Sequence, residues 1–244
     1  MVDAGTIRTI AGSDNGEQAE RRPSVTISYA QTLDGRLATR DGSSQWISGP
    51  ESLQLTHQLR AEHDAILVGV GTVLADNPRL TVRLVEGRDP LRVIVDSRLR
   101  LPLDANVLTD GAAIGTLVAV TSDADDPRCD AVAALGAEVV VVPGDHRGHV
   151  DLAALLDELG RRGVRSVMVE GGAGMITSFL REELVDRVVV TIAPKILGQG
   201  IDAVGDLGIA ALSSAVQIID PVMTPYGVDI VIDGQVRYPG GYDG

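Results

Sequence analysis

Aromatic side chains are nearly missing from this chain, at 2% of its 244 residues. A protein that grips single-stranded nucleic acid needs stacking platforms, and there is almost nothing here to build them from. The core must come from Val, Leu, Ile and Ala, within an ordinary hydrophobic content of 44%. Positive charge is also outweighed. The formal net charge of −13 repels nucleic acid and anionic membranes, so an anionic ligand needs a local basic site. Cysteine is limited to Cys129, which excludes an intrachain disulfide and a thiolate metal cluster. No apolar run approaches the roughly 18 residues of a membrane span. The first residues lack the apolar centre of a signal peptide. A cytoplasmic protein with no nucleic-acid or membrane partner is the expectation. No G-x-S-x-G elbow is present either, so acyl transfer by that route has no support.

What is present is a regular alternation. Residues 1–22 read as a loose polar tail, residues 239–244 as a second, and residues 23–238 as one domain. Short runs rich in Val, Ile and Leu read as strands at Val25–Ala30, Ala65–Val68, Arg92–Val95, Leu117–Thr121, Glu138–Val142, Ser166–Val169 and Arg187–Ala193. Helices are predicted between them. One starts near Ser48, with Pro50 in its first turn and Glu51 at the capping-box position. Others cover GVGTVLAD, Arg128–Leu135, Asp151–Arg162 and about Ala173–Arg181. Strands and helices in alternation imply an α/β fold with a mostly parallel sheet flanked by helices. The end differs, because Val216–Ile219 and Val228–Ile232 flank a turn-like TPYG and read as antiparallel strands closing the sheet.

Three strand ends carry candidate chemistry. At VGVGTVLADNPRLTVR, Gly69 and Gly71 leave a strand and open a helix, a pattern that serves either phosphate binding or a plain tight turn. At VMVEGGAGM, Glu170 ends a strand just before a second glycine-rich helix start; it is a ligand-facing carboxylate or a helix cap. Two such turns in one sheet suit a long ligand with several phosphates. At IVDSRLR, Asp96 and Ser97 precede Arg98 and Arg100. A hydroxyl beside arginines suits the 2′-phosphate that separates NADP from NAD, and also suits a solvated turn. Arg36, Arg60 and Arg83 are basic residues available to a phosphorylated substrate, and Lys195 is a further cation at a strand end. Asp34 sits in an Asp-Gly pair and reads first as a turn residue. HRGH, His146–His149, has loop-like surroundings and no nearby carboxylate pattern, so no metal is expected. Asp123, Asp125 and Asp126 read as an acidic loop before a helix.

The segments TLDGR, SSQWIS, LRAEHDAILVGVGTVLADNPRLTVR, IVDSR, VEGGAGM and IAPKILG, in this order, resemble the reductase domain of bacterial riboflavin biosynthesis from about Val25 to Ile232. The resemblance implies a dihydrofolate-reductase-like fold, NADPH as cofactor and a homodimer. It implies reduction of the ribosyl group of 5-amino-6-(5-phosphoribosylamino)uracil to ribityl. Many bacterial members carry a zinc deaminase domain ahead of the reductase; with no H-x-E and no C-x-x-C, a stand-alone reductase is expected. On the same resemblance, Ala30, Trp46, Thr72, Asp76, Ser97 and the stretch Gly172, Ala173, Gly174, Met175, Ile176, Thr177 and Ser178 match cofactor-contacting positions. Arg98 joins Ser97 as a contact of the 2′-phosphate. Ser44, Arg60, Leu80, Arg83 and Glu170 match substrate-contacting positions, and Glu170, then Asp34, is the expected carboxylate beside the protonated imine that accepts hydride. Near Ser28 the family carries lysine or asparagine against the substrate, so this sequence departs there. The alternatives are a reductase of the same fold acting on another pterin-like heterocycle and a non-catalytic nucleotide-binding module.

Overall fold

The computed structural model describes residues 22–44, 47–109 and 111–240, together with the backbone of Arg8–Thr9. Along the chain these form β1 (Arg8–Thr9), β2 (Ser24–Thr32), β3 (Arg36–Ala38), α1 (Pro50–Glu62), β4 (Ala65–Gly69), α2 (Val70–Asp76), β5 (Leu91–Val95) and β6 (Thr116–Val120). There follow α3 (Asp126–Ala134), β7 (Glu138–Val141), α4 (Leu152–Arg161), β8 (Ser166–Val169), α5 (Ala173–Arg181), β9 (Arg187–Ala193), β10 (Ile201–Asp202), β11 (Gln217–Tyr226) and β12 (Asp229–Arg237). The chain divides into two compact units, one from Met1–Pro23, His63–Thr81 and Arg88–Val167, the other from Ser24–Glu62, Val82–Gly87 and Met168–Gly244.

In the first unit, β4, β5, β6 and β7 pair in parallel, each with the next. Apart from Arg92, Thr116 and Glu138 near the strand starts, their sequences are apolar runs rather than alternating ones, and every residue of β6 is buried. That is the pattern of strands covered on both faces. Ile66, Val68, Ile94, Val118 and Val139 pack with Val70 and Val73 of α2 and Val132 of α3 in one core cluster. Each such side chain contributes about 1.5–3 kcal/mol on burial. Helix α4 shows why its segment is helical. The carboxylate of Asp151 accepts the N–H of Ala154 as N-cap, and Leu152, Leu155, Leu156 and Leu159 recur on one buried face.

In the second unit, β2 runs parallel to β9, β9 pairs antiparallel with β12, and β12 with β11. The antiparallel C-terminal pair expected from the sequence is present, with longer strands. Thr224–Tyr226, part of the expected turn, continues β11. The turn itself is Gly227–Val228, closed by the pair Tyr226 and Asp229, and Gly227 supplies the positive φ of 60° that such a short hairpin requires. A small antiparallel pair, β3 with β10, was not anticipated; strands of three and two residues are too short to show a period. Leu59 of α1 packs with Met168, Val189 and Val231 to form this unit's smaller core cluster.

Candidate functional site

The second unit carries most of the charged candidates, and α1 engages Glu170 and Arg83 through its own Arg60 and His57. Its N-terminus is tied down by Asp229 of β12, whose Oδ2 accepts the N–H of Gly49 and the hydroxyl of Ser52, each at 2.7 Å. The capping group thus comes from a distant strand. Three residues apart on α1, His57 and Arg60 share a face. His57 is buried, and its Nδ1 accepts the backbone N–H of Arg83 at 2.9 Å. The exposed Arg83 is therefore seated by α1 through its main chain.

Arg60 meets Glu170. Nε donates to Oε2 at 2.8 Å and Nη2 to Oε1 at 2.5 Å, a two-pronged guanidinium–carboxylate pair. The Arg60 side chain is only 8% exposed and that of Glu170 is 24% exposed, so the pair is shielded on the arginine side and open on the carboxylate side. Glu170 follows the last residue of β8 and precedes Gly171 and Gly172. A side chain at Gly171 would press to 2.6 Å from Cβ of Met175, which makes glycine necessary there. Gly172 is the N-cap of α5 and no side chain caps that helix start. Its first amides and the helix dipole are therefore suited to an anion. Within the predicted cofactor stretch, Ile176 and Thr177 are buried; Thr177 donates its hydroxyl to the Ala173 carbonyl and accepts the Gly205 N–H. Gly172 and Gly174 are exposed, and Ala173, Met175 and Ser178 are half-buried.

Asp34 is placed differently from Glu170. Its carboxylate accepts the Thr32 hydroxyl at 2.6 Å and the N–H groups of Leu197 and Gly198, so it clasps the segment after β9 to the β2–β3 turn. The Thr32 hydroxyl, then the amides of Gly198 and Leu197, pull its pKa down to about 2. A carboxylate so held is a poor proton donor near neutrality. Arg36 pairs with Asp202 across β3 and β10, and Lys195 donates to the Ile47 carbonyl at 2.8 Å. Ala30 is half-buried on β2 in register with Thr191, and Ser44 is half-buried in the loop beyond β3. Ser28 is buried on β2 in register with Val189. Trp46 lies outside the described residues.

The first unit carries the remaining candidates. Thr72 and Asp76 lie on α2, half-buried and exposed in turn. Leu80 has a φ of 55°, and its side chain is 2% exposed within the core cluster, so only its backbone is left to meet a ligand. The turn after β5 is heavily bonded. The Ser97 hydroxyl accepts the Val150 N–H at 3.0 Å, and its carbonyl accepts both the N–H and the hydroxyl of Thr121. Asp96 is buried, with Oδ2 accepting the Leu101 N–H at 2.7 Å; burial pushes its pKa up. Arg98 is exposed. Two contributors escaped sequence reasoning. His57 had a signal, since it shares a helix face with Arg60; Asp229 had none, being 177 residues from Ser52. Among the described residues no group of His, Cys, Asp and Glu is arranged to hold a metal ion.

Residues 23–232 match a family profile described as the RibD C-terminal domain. The chain is 40% identical over 214 residues to the riboflavin biosynthesis protein RibD of Aquifex aeolicus, covering 87% of this chain and 58% of that protein. It is 43% identical over 223 residues to a protein of Methanothermobacter thermautotrophicus named 2,5-diamino-6-ribosylamino-4(3H)-pyrimidinone 5′-phosphate reductase, covering 88% of this chain and 99% of the relative. Among solved structures, Acinetobacter baumannii RibD superposes with a TM-score of 0.74 at 29% identity, over 88% of this chain and 58% of that one. The chain thus spans less than two thirds of the length of both RibD proteins.

Proposed function

Because the chain belongs to the RibD C-terminal domain family, we propose that it is a reductase of riboflavin biosynthesis that uses NADPH to convert the ribosyl group of 5-amino-6-(5-phosphoribosylamino)uracil to ribityl. The observation that carries this reading is the Arg60–Glu170 pair at the end of β8, directly before the uncapped start of α5. Two places, each within its own unit, suit a phosphate of such a cofactor: the start of α5, where no side chain caps the helix, and the turn carrying Ser97 and Arg98. When bound, the nicotinamide cofactor supplies the hydride. The chain's residues then bind and orient. Arg83, seated by His57, holds the substrate phosphate with Arg60, and Ser44 adds a hydrogen bond. Glu170, fixed by Arg60, faces the ring-opened ribosylamine and stabilises the positive charge on its protonated imine. Asp34 keeps the neighbouring segment in place and leaves proton transfer to other groups.

A second substrate has support of its own. The Methanothermobacter relative is matched over 99% of its length and is named for the 2,5-diamino-pyrimidinone phosphate. Ser28, near which the resemblance implies a lysine or an asparagine, is buried on β2. Both substrates share the ribosylamine that is reduced. The test is oxidation of NADPH, followed at the reduced-nicotinamide band, with each substrate and with NADH as control. Turnover with the aminouracil phosphate is expected; none with either substrate despite cofactor binding would sink the reaction.

The reading includes a cytoplasmic setting and a homodimer. Ile192 and Val190 of β9, Ile230 and Ile232 of β12, and Met223 and Pro225 of β11 fall on one sheet face by register. Ile230 is 49% and Met223 65% exposed. An apolar face of this kind favours a second copy over solvent. Pro221 and Pro225 remove N–H groups from β11, which favours pairing through the face over simple strand addition. Met223→Asp is expected to give a monomer in analytical ultracentrifugation.

A further inference from the structure

The turn after β5 is more constrained than a solvated turn needs to be. Leu99 adopts a φ of 52°, in the left-handed region that a bulky residue avoids, while its side chain is completely buried. The turn is closed by the Leu99 N–H donating to the Asp96 carbonyl. Below it, Asp96 takes the Leu101 N–H. From outside, Arg128 of α3 completes the hold: Nε donates to the Leu99 carbonyl at 2.8 Å and Nη2 to the Leu101 carbonyl at 3.0 Å. Arg128 stands in the first turn of its helix, the end where the helix dipole disfavours a cation. Two carbonyls aimed at one planar guanidinium offset that placement.

Three anchors therefore surround a stretch in which Ser97 is half-buried and Arg98 and Arg100 are exposed. The hydroxyl accepts the Val150 N–H, so its lone pair is engaged and its own proton is directed elsewhere. Asp96, the carboxylate that would prefer a bare ribose hydroxyl, is turned into the interior and 1% exposed. Arg100 lies with its Nε 3.7 Å from Asp96, whereas Arg98 has no carboxylate within ion-pair distance among the described residues.

We infer that Arg128 is the positioning residue that holds this turn in the shape presenting Ser97 and Arg98 to a ribose 2′-phosphate, and so sets the preference for NADPH over NADH. This rests on the assignment of Ser97 and Arg98 to the cofactor in the proposed function, and goes beyond it by giving a selectivity role to a residue that touches no ligand. The fork matters as well as the charge. Lysine at 128 carries the charge but serves the two carbonyls with one compact ammonium.

The test uses the intact protein and binding alone. NADPH and NADH are titrated by reduced-nicotinamide fluorescence against the parent, Arg98→Ala, Arg128→Met and Arg128→Lys, with adenosine 2′,5′-bisphosphate as a competitor. Arg98→Ala should weaken NADPH by about ten-fold or more, as expected for a lost charge-assisted phosphate contact, and leave NADH nearly unchanged. Arg128→Met should move the NADPH-to-NADH affinity ratio in the same direction by several-fold, with competition by the bisphosphate weakened in parallel. Arg128→Lys should restore part of the ratio. Equal loss of both cofactors in Arg128→Met, with recovery of both in Arg128→Lys, would mean general damage and overturn the inference. An unchanged ratio in Arg128→Met beside a shifted one in Arg98→Ala overturns the clamp and leaves the phosphate contact standing. A shifted ratio in Arg128→Met beside an unchanged one in Arg98→Ala overturns the Arg98 assignment and leaves the clamp.

Discussion

The two units of this chain are held by different means. In the first, parallel strands of mainly apolar sequence bury a broad core around Ile66, Ile94, Val118 and Val139. Its polar groups mostly bolt turns: Arg92 donates to Thr116 and the Ala112 carbonyl, Asn106 donates twice to Asn77, and Asp96 and Arg128 fix the turn after β5. The second also buries apolar side chains such as Ile27, Ile176 and Phe179 beside the cluster around Leu59, and in addition ionised or polar pairs fix its charged groups. Arg60 meets Glu170, Arg187 meets Asp233, Asp229 holds the start of α1, and Asp34 clasps the segment after β9. Apolar packing gives a rigid frame on which turns can be set; directional polar bonds give placed side chains. The proposed reacting groups belong to the second kind.

This contrast is open to direct attack. The largest effect belongs to the first unit's core. Ile94→Ala should cost about 2–5 kcal/mol in urea unfolding, with little dependence on salt. A cost below about 1 kcal/mol would mean that the apolar frame is not what holds that unit. Next comes Glu170→Gln. It should leave circular dichroism unchanged while lowering kcat/KM by roughly 100-fold, the scale of losing one placed electrostatic partner. Wild-type turnover in that variant would remove Glu170 from the chemistry. Asp229→Ala takes away the acceptor of Gly49 and Ser52 inside a buried setting, and should destabilise by about 1–3 kcal/mol. If that cost matched a surface substitution, the long-range cap would be incidental.

The smallest effect is one of pH. The Asp34 pKa is lowered to about 2 from an ordinary value of 3.8, so the carboxylate favours the folded turn. Its contribution is complete above the ordinary value and disappears as pH falls through about 2. Hydrogen exchange at Leu197 and Gly198, compared between pH 5 and pH 2, should show loss of protection at the acid end. Asp34→Asn should lose protection at those amides already at pH 5. Identical protection in the two proteins across that range would dismiss the clasp.

Local pattern settled a good deal. Strands at Ser166–Val169 and Arg187–Ala193 and the helix Ala173–Arg181 are where their runs of apolar residues, glycines and caps placed them. The reason is that burial period and turn chemistry act over a few residues. The same holds for the strand ends: Glu170 was legible as a carboxylate closing a strand just before a glycine-rich helix start because strand, turn and helix start are consecutive in sequence. What tertiary structure alone decided is who bonds to whom. Arg60 and Glu170 are 110 residues apart, Asp34 and Gly198 are 164 apart, and Asp229 caps a helix that begins far upstream. No local rule links such residues, since a hydrogen bond is specified by distance and direction in space. Only the folded chain shows that Asp34 is engaged in a turn while Glu170 is held by an arginine with its carboxylate partly open. Composition and periodicity determined the frame; the pairing of its charges was decided when the frame closed.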